Sequence, residues 1–282
     1  MHLFCFGFGY SAEGLAHHLG ARGIAIAGTR TSLPAEMPVH GLKLAQFQGD
    51  RASAEVQALL QGATHILVSI PPDLEGDVVL RHHRGDIAAL SDLAWVGYLS
   101  TVGVYGDWQG QWVDETTPTR PVSERSLLRL QAERAWLDFG RETGRRVEIF
   151  RLSGIYGPGR SVIDNLRAGT ARRIVKPGQI FNRIHVDDIA RVLAAAIDKG
   201  RGHSIYNVSD DEPAPPQDVV AYAAELLGIE PPPEIAFAEA GLSGMAASFW
   251  AESKRVKNER IRRDLAVSLL YPTYREGVRA LV

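Results

Sequence analysis

The first nineteen residues, MHLFCFGFGYSAEGLAHHL, constrain the fold more than any other stretch. Leu3 to Phe6 is a short apolar run suited to a buried strand, and Gly7, Phe8 and Gly9 make a tight glycine turn. From Tyr10 the apolar period lengthens to that of a helix, with Leu15, Ala16 and Leu19 on one face. The spacing Gly7, Gly9, Ala12 fits G-x-G-x-x-G/A: the first small residue permits the turn, the second lets a pyrophosphate approach the backbone, and the third lets helix and strand pack closely. A helix N-terminus carries unpaired N–H groups and the positive end of a dipole, so it can hold such an anion without a lysine. Gly7, Phe8, Gly9, Tyr10, Ser11 and Ala12 are therefore expected to cradle a dinucleotide. The plain alternative is an ordinary strand-to-helix turn.

Further strands are expected at Ile24 to Gly28, Leu42 to Phe47, His65 to Ile70, Trp95 to Ser100, Val147 to Leu152 and Ser204 to Val208. Several read as the continuous apolar runs of parallel strands covered on both faces. Helices are expected around Val56 to Leu60, Ile87 to Leu93, Glu124 to Phe139, Val162 to Lys176, Ile184 to Ile197 and Pro215 to Leu227, with a basic helical tail from Glu252. Gln109 to Pro121 reads as a surface loop, and Pro231 to Pro233 as a linker. Strands alternating with helices imply an α/β fold with a parallel sheet and right-handed crossovers. The expected division is 1–160 for the dinucleotide-binding domain and 161–282 mostly for a smaller lobe, with 184–210 returning to the first domain.

The second strand end selects the cofactor. An acidic residue there would bind the ribose 2′-OH of NAD, whereas an arginine suits the 2′-phosphate of NADP. No Asp or Glu is present and Arg30 is, so NADP is expected, with NAD as the alternative. Thr29 and Thr31 are candidate hydroxyl donors. Asp50 could read an adenine edge or cap the following helix, and capping is the more ordinary role. Ser69 and Pro71 stand where the fourth strand stops at a proline pair, leaving its carboxyl end open for a ligand.

A net charge of −2 gives no electrostatic footprint for nucleic acid or a membrane surface. Cys5 is the only cysteine, which excludes disulfides within the chain, and it falls in the first strand. The adjacent pairs His17–His18 and His82–His83 lack the helical spacing that aims two ligands at one metal, so no metal site is expected. With no basic leader and no bilayer-length apolar run, the expected location is the cytoplasm.

GFGYSA at Gly7, GTR at Gly28, Asp50, STVGVYGD from Ser100, RLSGIYGPGR from Arg151, NRIHVDDIA from Asn182, YNVSD from Tyr206, KRVKNERI and YPTYREG occur in an order that resembles the extended branch of the short-chain dehydrogenase/reductase superfamily, the epimerase/dehydratase family. The resemblance spans nearly the whole chain. It implies a Rossmann-type doubly wound parallel sheet binding NAD(P), with a smaller C-terminal α/β substrate lobe for a small molecule, in a monomer or homodimer. Arg167, Arg172, Arg173 and Lys176 could hold an anionic substrate, and a solvated helix face is the more ordinary reading of such a run. It also implies three catalytic groups: a Ser or Thr on the substrate oxygen, a Tyr that moves its proton, and a Lys four residues later that lowers the tyrosine pKa. Thr101, with Ser100 beside it, matches the first. Arg129 stands at the lysine position and Arg125 at the tyrosine position, and neither has a usable acid form at neutral pH.

The resemblance is thus to an atypical member that needs another acid. Tyr105, Tyr156, Asp107, Glu124 and His185 are the titratable candidates near strand ends. Thr101, Ser100, Arg129 and Tyr105 are the expected catalytic group, and Arg129 is expected to reach the cofactor ribose as well. The leading expectation is an NADP-dependent oxidoreductase acting on a hydroxyl or carbonyl compound. The others are a non-catalytic NADP-binding sensor or scaffold, and a lyase or isomerase that uses the cofactor transiently.

Overall fold

A computed structural model describes every residue except Pro38 and Arg201, and all side chains but those two and Ala21 and Met245. Seven strands, β1 (His2–Phe6), β2 (Ala25–Arg30), β3 (Lys43–Gln46), β4 (His65–Val68), β5 (Trp95–Thr101), β6 (Val147–Leu152) and β7 (Ile205–Val208), form one sheet in the order β7-β6-β5-β4-β1-β2-β3. All its pairings are parallel. The order reverses between β1 and β4, the place where an open α/β sheet binds ligands beyond its carboxyl ends.

Alternation along β1 shows how the sheet is buried. Leu3 and Cys5 face a core built with helices α1 (Tyr10–Leu19) and α6 (Val186–Lys199). Phe4 and Phe6 face the opposite core, built with α2 (Ala54–Leu60), α3 (Val78–Ala88) and α4 (Glu124–Thr143). Both faces are covered, which is why the strands read as unbroken apolar runs. The C-terminal lobe adds α5 (Val162–Arg167), α7 (Pro216–Leu227), α8 (Gly244–Phe249) and α10 (Tyr274–Arg279), with three two-stranded parallel sheets, whereas α9 (Glu259–Leu265) sends Ile261 and Leu265 into the core of α1 and α6. α7 and α10 share a core with Tyr156.

Several expected elements differ. The helix placed at Ile87 to Leu93 starts at Val78, because the Asp77 carboxylate accepts from the Val79 and Leu80 N–H groups and caps it there. The basic stretch to Lys176 is helical only to Arg167; Gly169 takes a left-handed φ of 68°, and Arg173–Val175 becomes a strand paired with Glu234–Ala236. Arg183–His185, expected to open a helix, is likewise a strand, and the His185 ring accepts from the Asp187 N–H to cap α6. Ser53, in place of Asp50, caps α2. Within the expected loop at 109–121, Trp112–Val113 pairs with Arg255–Val256 of the tail, which is therefore not uniformly helical.

Candidate active site

The glycine turn is held by backbone and hydroxyl groups. Gly7 has φ 85°, and a Cβ there would lie 2.8 Å from Ser69 Oγ and 2.9 Å from Ile70 Cγ1, so only glycine fits. Its N–H donates to Thr29 Oγ1 at 2.9 Å, and Ser69 Oγ donates to its carbonyl at 2.5 Å. The Phe8 N–H donates to the Thr29 carbonyl at 2.6 Å. Thr29 is wholly buried, so its hydroxyl supports the turn and is not a cofactor donor, a correction to the sequence expectation. Phe8 and Ala12 are also wholly buried and shape the turn from beneath.

Gly9 is the opposite case. It is extended at φ −112°, precedes α1 with no side chain capping the helix, and a Cβ there would meet nothing within 4 Å. Open space over uncapped N–H groups at the end of a ten-residue helix fits a pyrophosphate. Beside it the Arg30 guanidinium donates from Nε to the Phe8 carbonyl at 2.6 Å and pairs with Glu13 in the first turn of α1. Asp50 and Pro71 are exposed and lie outside the lining of the cleft described next.

Gly9, Tyr10 and Ser11 open onto a cleft of about 770 Å3 between the carboxyl ends of β4, β5 and β6 and the C-terminal lobe. Ser69, Ser100, Thr101 and Arg129 line it from the sheet side. Arg125, Arg160, Arg183 and Lys254 add positive charge, against one acidic lining residue, Glu252. Phe249, 53% exposed, lies 5.5 Å beneath the Arg125 guanidinium.

The hydroxyls of the sheet wall have fixed polarity. Ser100 Oγ donates to Glu133 Oε1 at 2.5 Å, and Glu133 is paired with Arg151 at 2.7 Å, both side chains being under 5% exposed. With its proton committed, Ser100 can offer the cleft only lone pairs. Thr101 Oγ1 instead accepts from the Gly103 N–H at 3.1 Å, which leaves its proton for a ligand. Arg129 Nη1 is anchored at the strand ends, donating to the Leu99 carbonyl at 2.8 Å and to Tyr98 Oη at 3.1 Å.

The tyrosine candidates do not supply the missing acid. Tyr105 is wholly buried, donates to Asn207 Oδ1 at 2.7 Å and lies outside the cleft lining, and burial pushes its phenol up to about 12. This overturns its expected catalytic place. Tyr156 lines the cleft, but a Cβ on Gly277 would meet its hydroxyl at 1.9 Å, which puts that oxygen against α10. His185 is buried against Tyr271, with ring centroids 4.2 Å apart, and burial lowers its pKa. Asp107 accepts from the Ser253 N–H, and Glu124 is exposed on the first turn of α4. The sequence reading missed Lys254 and Glu252 as cleft residues, although KRVK was among the stretches that carried the resemblance.

Comparison with known proteins agrees with this architecture. Residues 87–209 match the model of the NAD dependent epimerase/dehydratase family. Protein YeeZ of Escherichia coli K12 is 29% identical over 245 residues, 80% of this chain and 84% of YeeZ. The structure of a functionally unknown conserved protein from Silicibacter pomeroyi is 46% identical with a TM-score of 0.88, covering 99% of this chain and 97% of that one. A UDP-glucuronic acid 4-epimerase from Bacillus cereus in complex with NAD shares the fold at 16% identity, with a TM-score of 0.80 over 100% of this chain and 95% of its own. Among the described residues no helix is long and apolar enough to cross a membrane, and no group of three or more His, Cys, Asp or Glu is placed to hold a metal ion.

Proposed function

Since the chain belongs to the NAD-dependent epimerase/dehydratase family, we propose that it binds NADP in the Gly7–Ala12 cradle and acts as an oxidoreductase on a small anionic carbonyl or hydroxyl compound. The observation that carries this reading is Gly9, whose empty Cβ position opens from an uncapped helix onto the cleft that holds Thr101. The 2′-phosphate is assigned to Arg30, which has no acidic residue beside it on β2 and already lies against the turn. That phosphate would take up the guanidinium now shared with Glu13. The neighbour from Bacillus cereus holds NAD, so NAD is the cofactor to compare.

A bound nicotinamide supplies the hydride chemistry; the residues orient, polarise and exclude water. Thr101 donates to the substrate oxygen, Ser100 accepts from a neighbouring substrate hydroxyl, and Arg129 is assigned to the nicotinamide ribose. The cluster of Arg125, Arg160 and Arg183 suits a carboxylate or phosphate on the substrate. A nucleotide-linked sugar is one such compound, given that the Bacillus cereus protein is a UDP-glucuronic acid 4-epimerase. The test is NADPH and NADH titration by fluorescence, followed by NADPH oxidation across phosphorylated and nucleotide-linked carbonyl compounds. Thr101→Ala should leave the NADPH affinity intact and cut turnover by about 10²-fold or more. NADPH binding without oxidation across the whole panel would instead favour a sensor or scaffold.

A further inference from the structure

The redox reading above requires a group that yields a proton, and an arginine stands where the family has its tyrosine. The arginines of the cleft keep their protons at any working pH. Tyr10 is tied to the Pro158 carbonyl at 3.0 Å, at the cofactor end, and Tyr156 turns its hydroxyl toward α10. Among the described cleft-lining side chains this leaves Lys254 and Glu252.

Lys254 is 5% exposed, yet it lines the cleft. Its ammonium donates to Glu252 Oε2 at 2.6 Å and to the Gly106 carbonyl at 2.9 Å. Gly106 closes the short 3-10 turn Val102–Tyr105 that Thr101 opens, so Lys254 is tied to the same turn that presents the substrate-polarising hydroxyl. Its backbone is fixed as well: the Lys254 carbonyl accepts from Asn182 Nδ2 at 2.9 Å, and Arg255–Val256 pairs with Trp112–Val113. An ammonium has three hydrogens, and the two bonds above use two of them. We propose that Lys254 is the catalytic acid of this cleft, protonating the substrate oxygen beside Thr101 and being recharged through Glu252.

In the reducing direction the carbonyl carbon takes a hydride from a reduced nicotinamide dinucleotide, and the C=O π pair moves onto oxygen. That oxygen takes a proton from Lys254 Nζ. The Glu252 carboxylate then takes a proton from solvent and passes it to the neutral amine, which restores the ion pair. Burial lowers the Lys254 pKa, while Glu252 beside it and Asp107 from the turn after β5 raise it; Arg125, Arg129, Arg160 and Arg183 share the cleft. A lysine whose pKa burial lowers is a better acid than a free one.

The chain has five lysines, at 43, 176, 199, 254 and 257, so 13Cε-lysine labelling of the full protein gives a resolvable spectrum in which the Lys254→Arg variant identifies the Lys254 signal. That signal should titrate below the ordinary lysine value, as burial of the ammonium requires. Glu252→Gln should move it lower still. Lys254→Arg should hold NADPH affinity within about twofold and lower turnover by about 10²-fold or more on any carbonyl compound the protein reduces. Glu252→Gln, which keeps the lysine, should also slow turnover. Titration of Lys254 together with the other four lysines, or full turnover in Lys254→Arg, would overturn the assignment. The redox reading itself fails when the native protein binds no NADPH or reduces nothing, and the Lys254 assignment fails on the variant and the lysine titration, so the two failures are separable.

Discussion

The two walls of the cleft are built by opposite means. On the β1 side the cradle is almost entirely backbone: Gly7 held by Thr29 and Ser69, and Gly9 left bare over the end of α1. On the β5 and α4 side the wall is made of charged and hydroxylic side chains, with Ser100 on Glu133, Glu133 on Arg151, and Arg129 on the strand-end carbonyls. The first wall carries the glycine spacing of a dinucleotide cradle, and the second carries Arg129 on α4 and Arg125 one turn before it. A backbone cradle survives only if particular side chains are absent, whereas a side-chain wall can exchange its chemistry and keep its shape.

The comparison breaks most sharply at the buried pair. Glu133→Gln leaves Arg151 charged and unpaired at 3% exposure and should destabilise the fold by about 3–5 kcal/mol, read as a lowered urea midpoint. A loss under about 1 kcal/mol would mean that the side-chain wall is not held by this pair. Next comes the turn. Gly7→Ala combines a left-handed φ with a contact on Ser69 and should cost about 1–3 kcal/mol, together with the loss of NADPH binding. An unchanged urea midpoint would show that the turn tolerates a side chain. The smallest effect concerns selectivity: Arg30→Glu should leave stability within about 0.5 kcal/mol, weaken NADPH and spare NADH. Equal weakening of both would remove the 2′-phosphate from Arg30.

What could be read from the sequence follows the same division. The strands were legible because parallel strands covered on both faces need unbroken apolar residues, as HILV of β4 shows, and the glycine turn because its spacing is steric. α3 was displaced because its buried face includes His83, so its apolar period is weak. Arg173–Val175 looked helical because its basic neighbours share that composition, and its strand is set by pairing with Glu234–Ala236, about sixty residues away. Thr29 read as a cofactor donor and is a buried prop, since an exposed and a buried hydroxyl look alike in sequence. Lys254 was silent because its burial depends on the Gly106 carbonyl, 148 residues distant.

The claim that the bare space at Gly9 is the cofactor cradle is tested most directly by NADPH titration of the native protein and of Gly9→Ala, with the melting temperature of each recorded. Gly9 is extended and its Cβ position is empty, so the variant should melt within about 2 °C of the native protein while its NADPH affinity falls by about tenfold or more. Equal NADPH affinity in the two proteins would contradict the account.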